Sequence, residues 1–98
     1  MKKLLIIIIV FVTSLSYCQT AEEYFERGNS KYDLQDYQGA IADYSKAIQL
    51  DPNDSDAYYN RGLSKLELNQ KDSACLDWSK AGELGDGDAY DLIKEHCN

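Results

Sequence analysis

The side chains with the most chemistry to offer are one histidine, three cysteines and a surplus of carboxylates. His96 stands next to Cys97, but adjacent helical residues point in different directions, so the two do not converge on one metal ion. Asp51-x-Asn53-x-Ser55 has the opening of a calcium loop. Asp56, however, stands where that loop needs glycine, and Gly62 where it needs glutamate. A turn followed by helix caps accounts for these residues. No glycine-rich phosphate loop and no nucleophile with a base can be found. The carboxylates read as spread along solvated faces instead of paired in an apolar pocket, so acid–base catalysis is not indicated. The expectation is a chain with no catalytic residues, no metal site and no cofactor.

Seventeen acidic against ten basic residues give a net charge of −7. With no basic stripe to displace counterions from phosphates, nucleic acid is not an expected partner. The positive charge at the start belongs to a separate segment. Met1-Lys2-Lys3 precedes nine unbroken apolar residues, Leu4 to Val12, and then the small and polar run Thr13 to Cys18. That three-part layout predicts a signal peptide over 1–18, too short to span a bilayer comfortably, and an exported protein, periplasmic or secreted. Cleavage before Gln19 puts Ser16 and Cys18 at the two positions that must be small. The alternative is a lipid anchor on Cys18, as in bacterial lipoproteins. Leu15 and Ser16 fit that signal, whereas Tyr17 stands where Gly, Ala or Ser belongs. Cleavage would leave 80 residues of net charge −9. A chain this short has a thin core and gains from a staple.

What positions the remaining side chains is an internal repeat. Ala21–Asp54 laid over Ser55–Asp88 matches without gaps at a period of 34 residues, with thirteen identities. A period of this size indicates stacked supersecondary units. Each unit reads as two helices. Thr20 with Glu23 three residues on is a capping-box start, and Tyr24, Arg27, Gly28 and Tyr32 follow helical spacing. A break at Gln35-Asp36 leads to a second helix with an apolar stripe at Ala40, Ile41, Tyr44, Ala47 and Ile48. Asp51-Pro52-Asn53-Asp54 ends it, because proline lacks the donor and disfavours helix in the residue before it. Tyr58 to Leu68 and Ala74 to Leu84 repeat the pattern around a break at Asn69-Gln70. Gly28 and Gly62 each cost a helix roughly 1 kcal/mol relative to alanine. A close approach of two helices offsets that cost, with Tyr24, Tyr44, Tyr58 and Trp78 filling the space beside the small residues Ala40, Ala47, Ala74 and Ala81.

These residues resemble the tetratricopeptide repeat. Tyr24-x2-Arg27-Gly28, Ala40-x3-Tyr44, Ala47 and Leu50-Asp51-Pro52 sit at that family's offsets, as do Tyr58-x2-Arg61-Gly62, Ala74-x3-Trp78 and Ala81-x2-Leu84. Two departures stand out: Lys31 and Lys65 occupy a usually larger apolar position, and Asp86 replaces the second proline. The resemblance implies an all-α fold, a right-handed α-solenoid with one repeat over 19–54 and another over 55–88. A C-terminal capping helix over 89–98, capped by Asp88, would present Ala89, Leu92 and Ile93 to the open flank of the second repeat. If the last two helices run antiparallel about a bend near Asp86, Cys75 and Cys97 lie at equal distances from it. An exported chain permits the disulfide that this geometry predicts between them.

In this family the first helix of each repeat lines a concave face that receives peptides. By resemblance, Phe25, Asn29, Tyr32, Tyr59, Asn60 and Leu63 are the candidate partner-binding residues here. Asn29 and Asn60 coincide with two asparagines that some relatives use to hold a peptide's backbone or terminal carboxylate. Phe25 and Tyr90 replace two of the basic residues such a clamp needs, so a carboxylate clamp is not expected. An acidic, tyrosine-rich groove favours a neutral or basic protein segment, held by aromatic contacts and amide hydrogen bonds. The function so implied is a non-catalytic peptide-binding adaptor. The alternative is a structural subunit, stacking its repeats in a larger envelope assembly or self-associating. The repeat register makes one direct prediction. Ala74→Leu should lower stability by roughly 1–3 kcal/mol through overpacking, measured by thermal or denaturant unfolding. An unchanged curve would place residue 74 away from any close contact.

Overall fold

The computed structural model describes residues 19–98; the expected leader, 1–18, lies outside the described residues. Within them the chain forms five helices: α1 (Ala21–Asp33), α2 (Tyr37–Leu50), α3 (Ser55–Glu67), α4 (Lys71–Glu83) and α5 (Gly87–His96). Each packs on the next in chain order, so the array grows in one direction as a helical-repeat solenoid. No helix among the described residues is long and apolar enough to cross a membrane.

Short polar side chains start four of the five helices by accepting orphan backbone donors. Thr20 Oγ1 accepts from Glu23 N, Asp36 Oδ1 from Gly39 N, Asp54 Oδ1 from Asp56 N and Asp86 Oδ1 from Asp88 N. The last of these corrects the expected start of the terminal helix. Asp86 is its cap, so α5 begins at Gly87, ahead of Asp88. Three helices also end in one way. After the C-cap leucines Leu34, Leu68 and Leu84, the next residue takes positive φ: Gln35 at 63°, Asn69 at 62° and Gly85 at 107°. The two following backbone donors return to the last turn, as in Asp36 N to Lys31 O at 2.8 Å and Gln35 N to Tyr32 O at 2.9 Å. The chain therefore reverses tightly at each of these points. Only the third uses glycine, at the bend where a proline was absent.

Glycine has a different purpose inside the helices. A Cβ on Gly28 would lie 2.7 Å from the Tyr44 ring, and one on Gly62 would collide with Trp78 Nε1. The two rings thus lie directly on helix backbone, Tyr44 at 1% exposure and Trp78 fully buried. Trp78 Nε1 donates to the Tyr59 carbonyl at 3.2 Å, so its one polar atom is satisfied. Ala40 and Ala47, with Ala57, Ala74, Ala81 and Ala89, fill the remaining close contacts.

The buried charges were not foreseen. Asp43 and Asp77, one repeat period apart, are 6% and 4% exposed, which corrects the expectation that all the carboxylates ride on solvated faces. Asp77 accepts from Arg61 Nε at 2.9 Å and Nη2 at 2.7 Å, and Lys65 Nζ lies 2.9 Å away. Arg61 Nη1 also donates to Ser45 Oγ at 3.1 Å, tying the second helix pair to the first. In the first pair Lys31 Nζ is 2.9 Å from Asp43, while Arg27 stands off at 3.7 Å and bonds Gln19 instead. Lys31 and Lys65 therefore have a structural reason to occupy an otherwise apolar position: each neutralises a buried carboxylate. Removing one partner from such a group costs about 3–5 kcal/mol, because the other is left buried and unpaired.

At the C-terminal end α5 lies along α4, with Ala89 fully buried and Leu92 and Ile93 packed on the cluster of Ala74, Trp78 and Ala81. Cys75 and Cys97 are joined, with Cα atoms 5.9 Å apart, as the equal arms predicted. Closing a loop of this length contributes about 3 kcal/mol.

The glycine contacts are testable. Alanine is the better helix former, so on propensity alone Gly62→Ala should stabilise. The Trp78 ring is fully buried with its nitrogen bonded and cannot withdraw. Gly62→Ala should therefore destabilise by about 1–2 kcal/mol in denaturant titration, overpacking exceeding the propensity gain.

Candidate partner-binding groove

The site is built from α1 and α3, which lie side by side with α2 behind them. Asn29 is on α1 and Asn60 on α3; Asn60 Nδ2 donates to Asn29 Oδ1 at 3.1 Å. The Tyr44 hydroxyl comes through from α2 and donates to the same oxygen. Three helices thus meet at one amide. Tyr44 reaches it because its ring is pressed on Gly28 and its hydroxyl extends beyond the helix contact. The tryptophan at the equivalent place in the second helix pair is turned to a backbone carbonyl and makes no such link.

Asn29, Tyr32, Asp33, Tyr44, Asn60 and Leu63 line a cleft of about 330 Å³. Four of the six residues proposed from sequence, Asn29, Tyr32, Asn60 and Leu63, are therefore brought together. The other two lie outside this lining. Phe25 packs on the Tyr44 ring with centroids 5.8 Å apart, supporting the cleft from the side. Tyr59 packs on the Ala74–Trp78–Ala81 cluster and belongs to the next stretch of the surface, towards α5. Tyr44 was expected only as a core residue, and nothing in the helical stripe distinguishes it from one. The available signal was its pairing with tryptophan at the repeat-equivalent position, since tyrosine alone carries a hydroxyl that must find a partner.

Electrostatics give the face its character. Burial raises the Tyr32 phenol above its ordinary value, and the carboxylates of Glu67 and Asp33, with Tyr37 and Tyr59, add to the rise. Tyr59 is raised by burial and then by Asp86, Asp88 and Asp91. Tyr44 is pushed up to about 12, by burial first and then by Tyr32 and Asp33. The phenols stay neutral and available as donors, in surroundings that favour positive charge. Among the described residues, no group of three or more His, Cys, Asp or Glu is placed to hold a metal ion.

A family model described as TPR repeat matches residues 28–69, the stretch from Gly28 through the first helix pair to the end of α3. With the five stacked helices, this match fits a small tetratricopeptide-repeat protein. Such repeats generally mediate protein–protein interaction and are generally non-catalytic. No curated protein matches the chain.

The link between Tyr44 and Asn29 has a measurable pH signature. An unfolded tyrosine ionises near pH 10, whereas Tyr44 in the native state holds its proton to about 12. Above pH 10 the unfolded chain loses a proton that the native chain retains. This share of stability is therefore complete below pH 10 and is lost as pH rises towards 12. Tyr44→Phe should cost about 1 kcal/mol at neutral pH through the lost hydrogen bond. It should also flatten the fall in stability between pH 10 and 12, leaving the smaller slope due to Tyr32 and Tyr59. Urea unfolding of both proteins at neutral pH and across that alkaline range measures both effects.

Proposed function

We propose that the groove over Asn29, Tyr32, Asn60 and Leu63 binds an extended, neutral-to-basic segment of a partner protein and catalyses nothing. The observation that carries this reading is the shared amide oxygen. Because Asn29 Oδ1 takes both the Asn60 and the Tyr44 donors, Asn29 Nδ2 and Asn60 Oδ1 have no hydrogen-bond partner among the described residues. They offer one donor and one acceptor beside the cleft, the complement of one peptide unit in an extended backbone. Tyr32 and Leu63 supply contact area, while Phe25 and Tyr59 extend the apolar surface on either side. Asp33, Glu67 and the aspartates of α5 set the charge preference. Export under a leader over 1–18 would place the protein among envelope or secreted partners.

The alternative, a subunit that stacks its first helix on another copy, draws no support from α1. Ala57 is fully buried in α3, facing the preceding helices, but the repeat-equivalent residue in α1 is Glu23, which is exposed beside Glu22 and Glu26. A face studded with glutamates is costly to bury without cationic partners.

An array of extended peptides of both charge signs, titrated against the wild type and Asn60→Ala, tests the proposal. Neutral and basic peptides should bind the wild type, the basic ones more weakly as salt rises. Asn60→Ala should weaken them by about tenfold, the worth of one hydrogen bond, while circular dichroism shows the helices intact. Equal binding by the two proteins would remove the cleft from the account.

A further inference from the structure

The disulfide sits at the surface, at the edge of the cap it holds. Cys75 and Cys97 line an open cleft of about 350 Å³ together with Lys71, Asp72, Leu76 and His96. Leu76, next to Cys75, is 72% exposed, an uncommon state for a leucine in mid-helix. A thiolate can therefore approach the bond from solvent, with an apolar side chain beside it to contact.

The bond also holds the element least able to hold itself. α5 has ten residues, fewer than an isolated helix needs to persist in water. Its non-covalent hold is Ala89, fully buried, Leu92 and Ile93, partly so, and the Tyr90 ring, half exposed, laid on Gly82 of α4. No salt bridge among the described residues joins it to another helix. Beneath it lies Trp78, against which the His96 ring packs with centroids 5.7 Å apart. Trp78 is the only tryptophan in the chain.

We propose that the Cys75–Cys97 disulfide is a reversible clasp, addressed by a dithiol at the Leu76 cleft, whose opening releases α5 and uncovers Trp78. One thiolate of the dithiol attacks a disulfide sulfur; the Cys75–Cys97 bond breaks, and the other cysteine leaves as a thiolate that takes up a proton. The second thiol of the dithiol then attacks the mixed disulfide and frees the remaining cysteine. The net change is two cysteine thiols on the protein and one disulfide on the former dithiol. The apolar flank of Ala74, Trp78 and Ala81, closed in the oxidised protein, becomes available in the reduced one. This clasp stands independently of what binds the groove between α1 and α3.

The test uses the full chain and dithiothreitol as the probe, with Trp78 emission and backbone hydrogen exchange as readouts. Reduction should move the emission to longer wavelength and lower exchange protection across 87–96 by about 100-fold, the equivalent of the lost cross-link. Protection in α1 to α3 should persist, and reoxidation should restore the first state. The Cys75→Ser/Cys97→Ser protein should resemble the reduced form and ignore the probe. Two results would overturn the clasp: a reduced protein with unchanged Trp78 emission and α5 protection, or one in which all five helices lose protection together. The first would make the bond passive, and the second would make it a staple for the whole fold.

Discussion

Of three aromatic rings laid directly on glycine backbone, Tyr44 on Gly28 and Trp78 on Gly62 set the spacing within the two helix pairs, and Tyr90 on Gly82 seats the last helix. With a Cβ at Gly28 or Gly62 the rings of Tyr44 and Trp78 would be pushed off, and each helix pair would open. With hydrogen there, α2 and α4 come close enough for alanines to fill the remaining contacts, and the pairs stack on one another. The two contacts have different outcomes at the surface. Trp78 ends in a bond to the Tyr59 carbonyl and closes the core. Tyr44 passes its hydroxyl to Asn29 and so organises the polar side of the groove. A packing constraint thereby reaches the proposed groove in one repeat and stays within the core in the other.

The paired ions act at a second level. An isolated buried carboxylate is costly, so Asp43 and Asp77 require the cations that surround them. Arg61 satisfies Asp77 with two of its nitrogens and reaches Ser45 with the third, which fixes the angle between successive repeats. Arg27 lacks a preceding repeat among the described residues. It turns to Gln19 and stands farther from its aspartate. The first repeat is consequently held less by charge and more by Tyr44, whose hydrogen bond runs into the groove itself.

Much of the fold was legible from spacing because repeats write their contacts twice. Thirteen identities at a 34-residue offset marked the small and large residues that must face each other, and the reversals at Gln35 and Asn69 fell where the pattern broke. The bend at Gly85 was legible in the same way, and with it the meeting of Cys75 and Cys97. The cap of α5 was misplaced by two residues because Asp86 and Asp88 have the same chemistry. Which of them precedes the first helical turn depends on the exit angle at Gly85.

What the sequence alone determined is therefore what depends on local order and periodicity: helices, turns, the stacking unit and its net negative charge. The partners of Lys31 and Lys65 lay beyond it. They depend on which face of α2 and α4 turns inward, and an aspartate two residues before a serine carries no mark of burial in the sequence. The asparagines could be assigned to one face by resemblance. That Asn29 is already engaged by Tyr44 and Asn60, leaving one open donor and one open acceptor, only the packed helices could decide. Hydrogen-bond partners thirty-one residues apart meet through the superhelical stagger, which is set by glycine–ring contacts and buried ion pairs acting together.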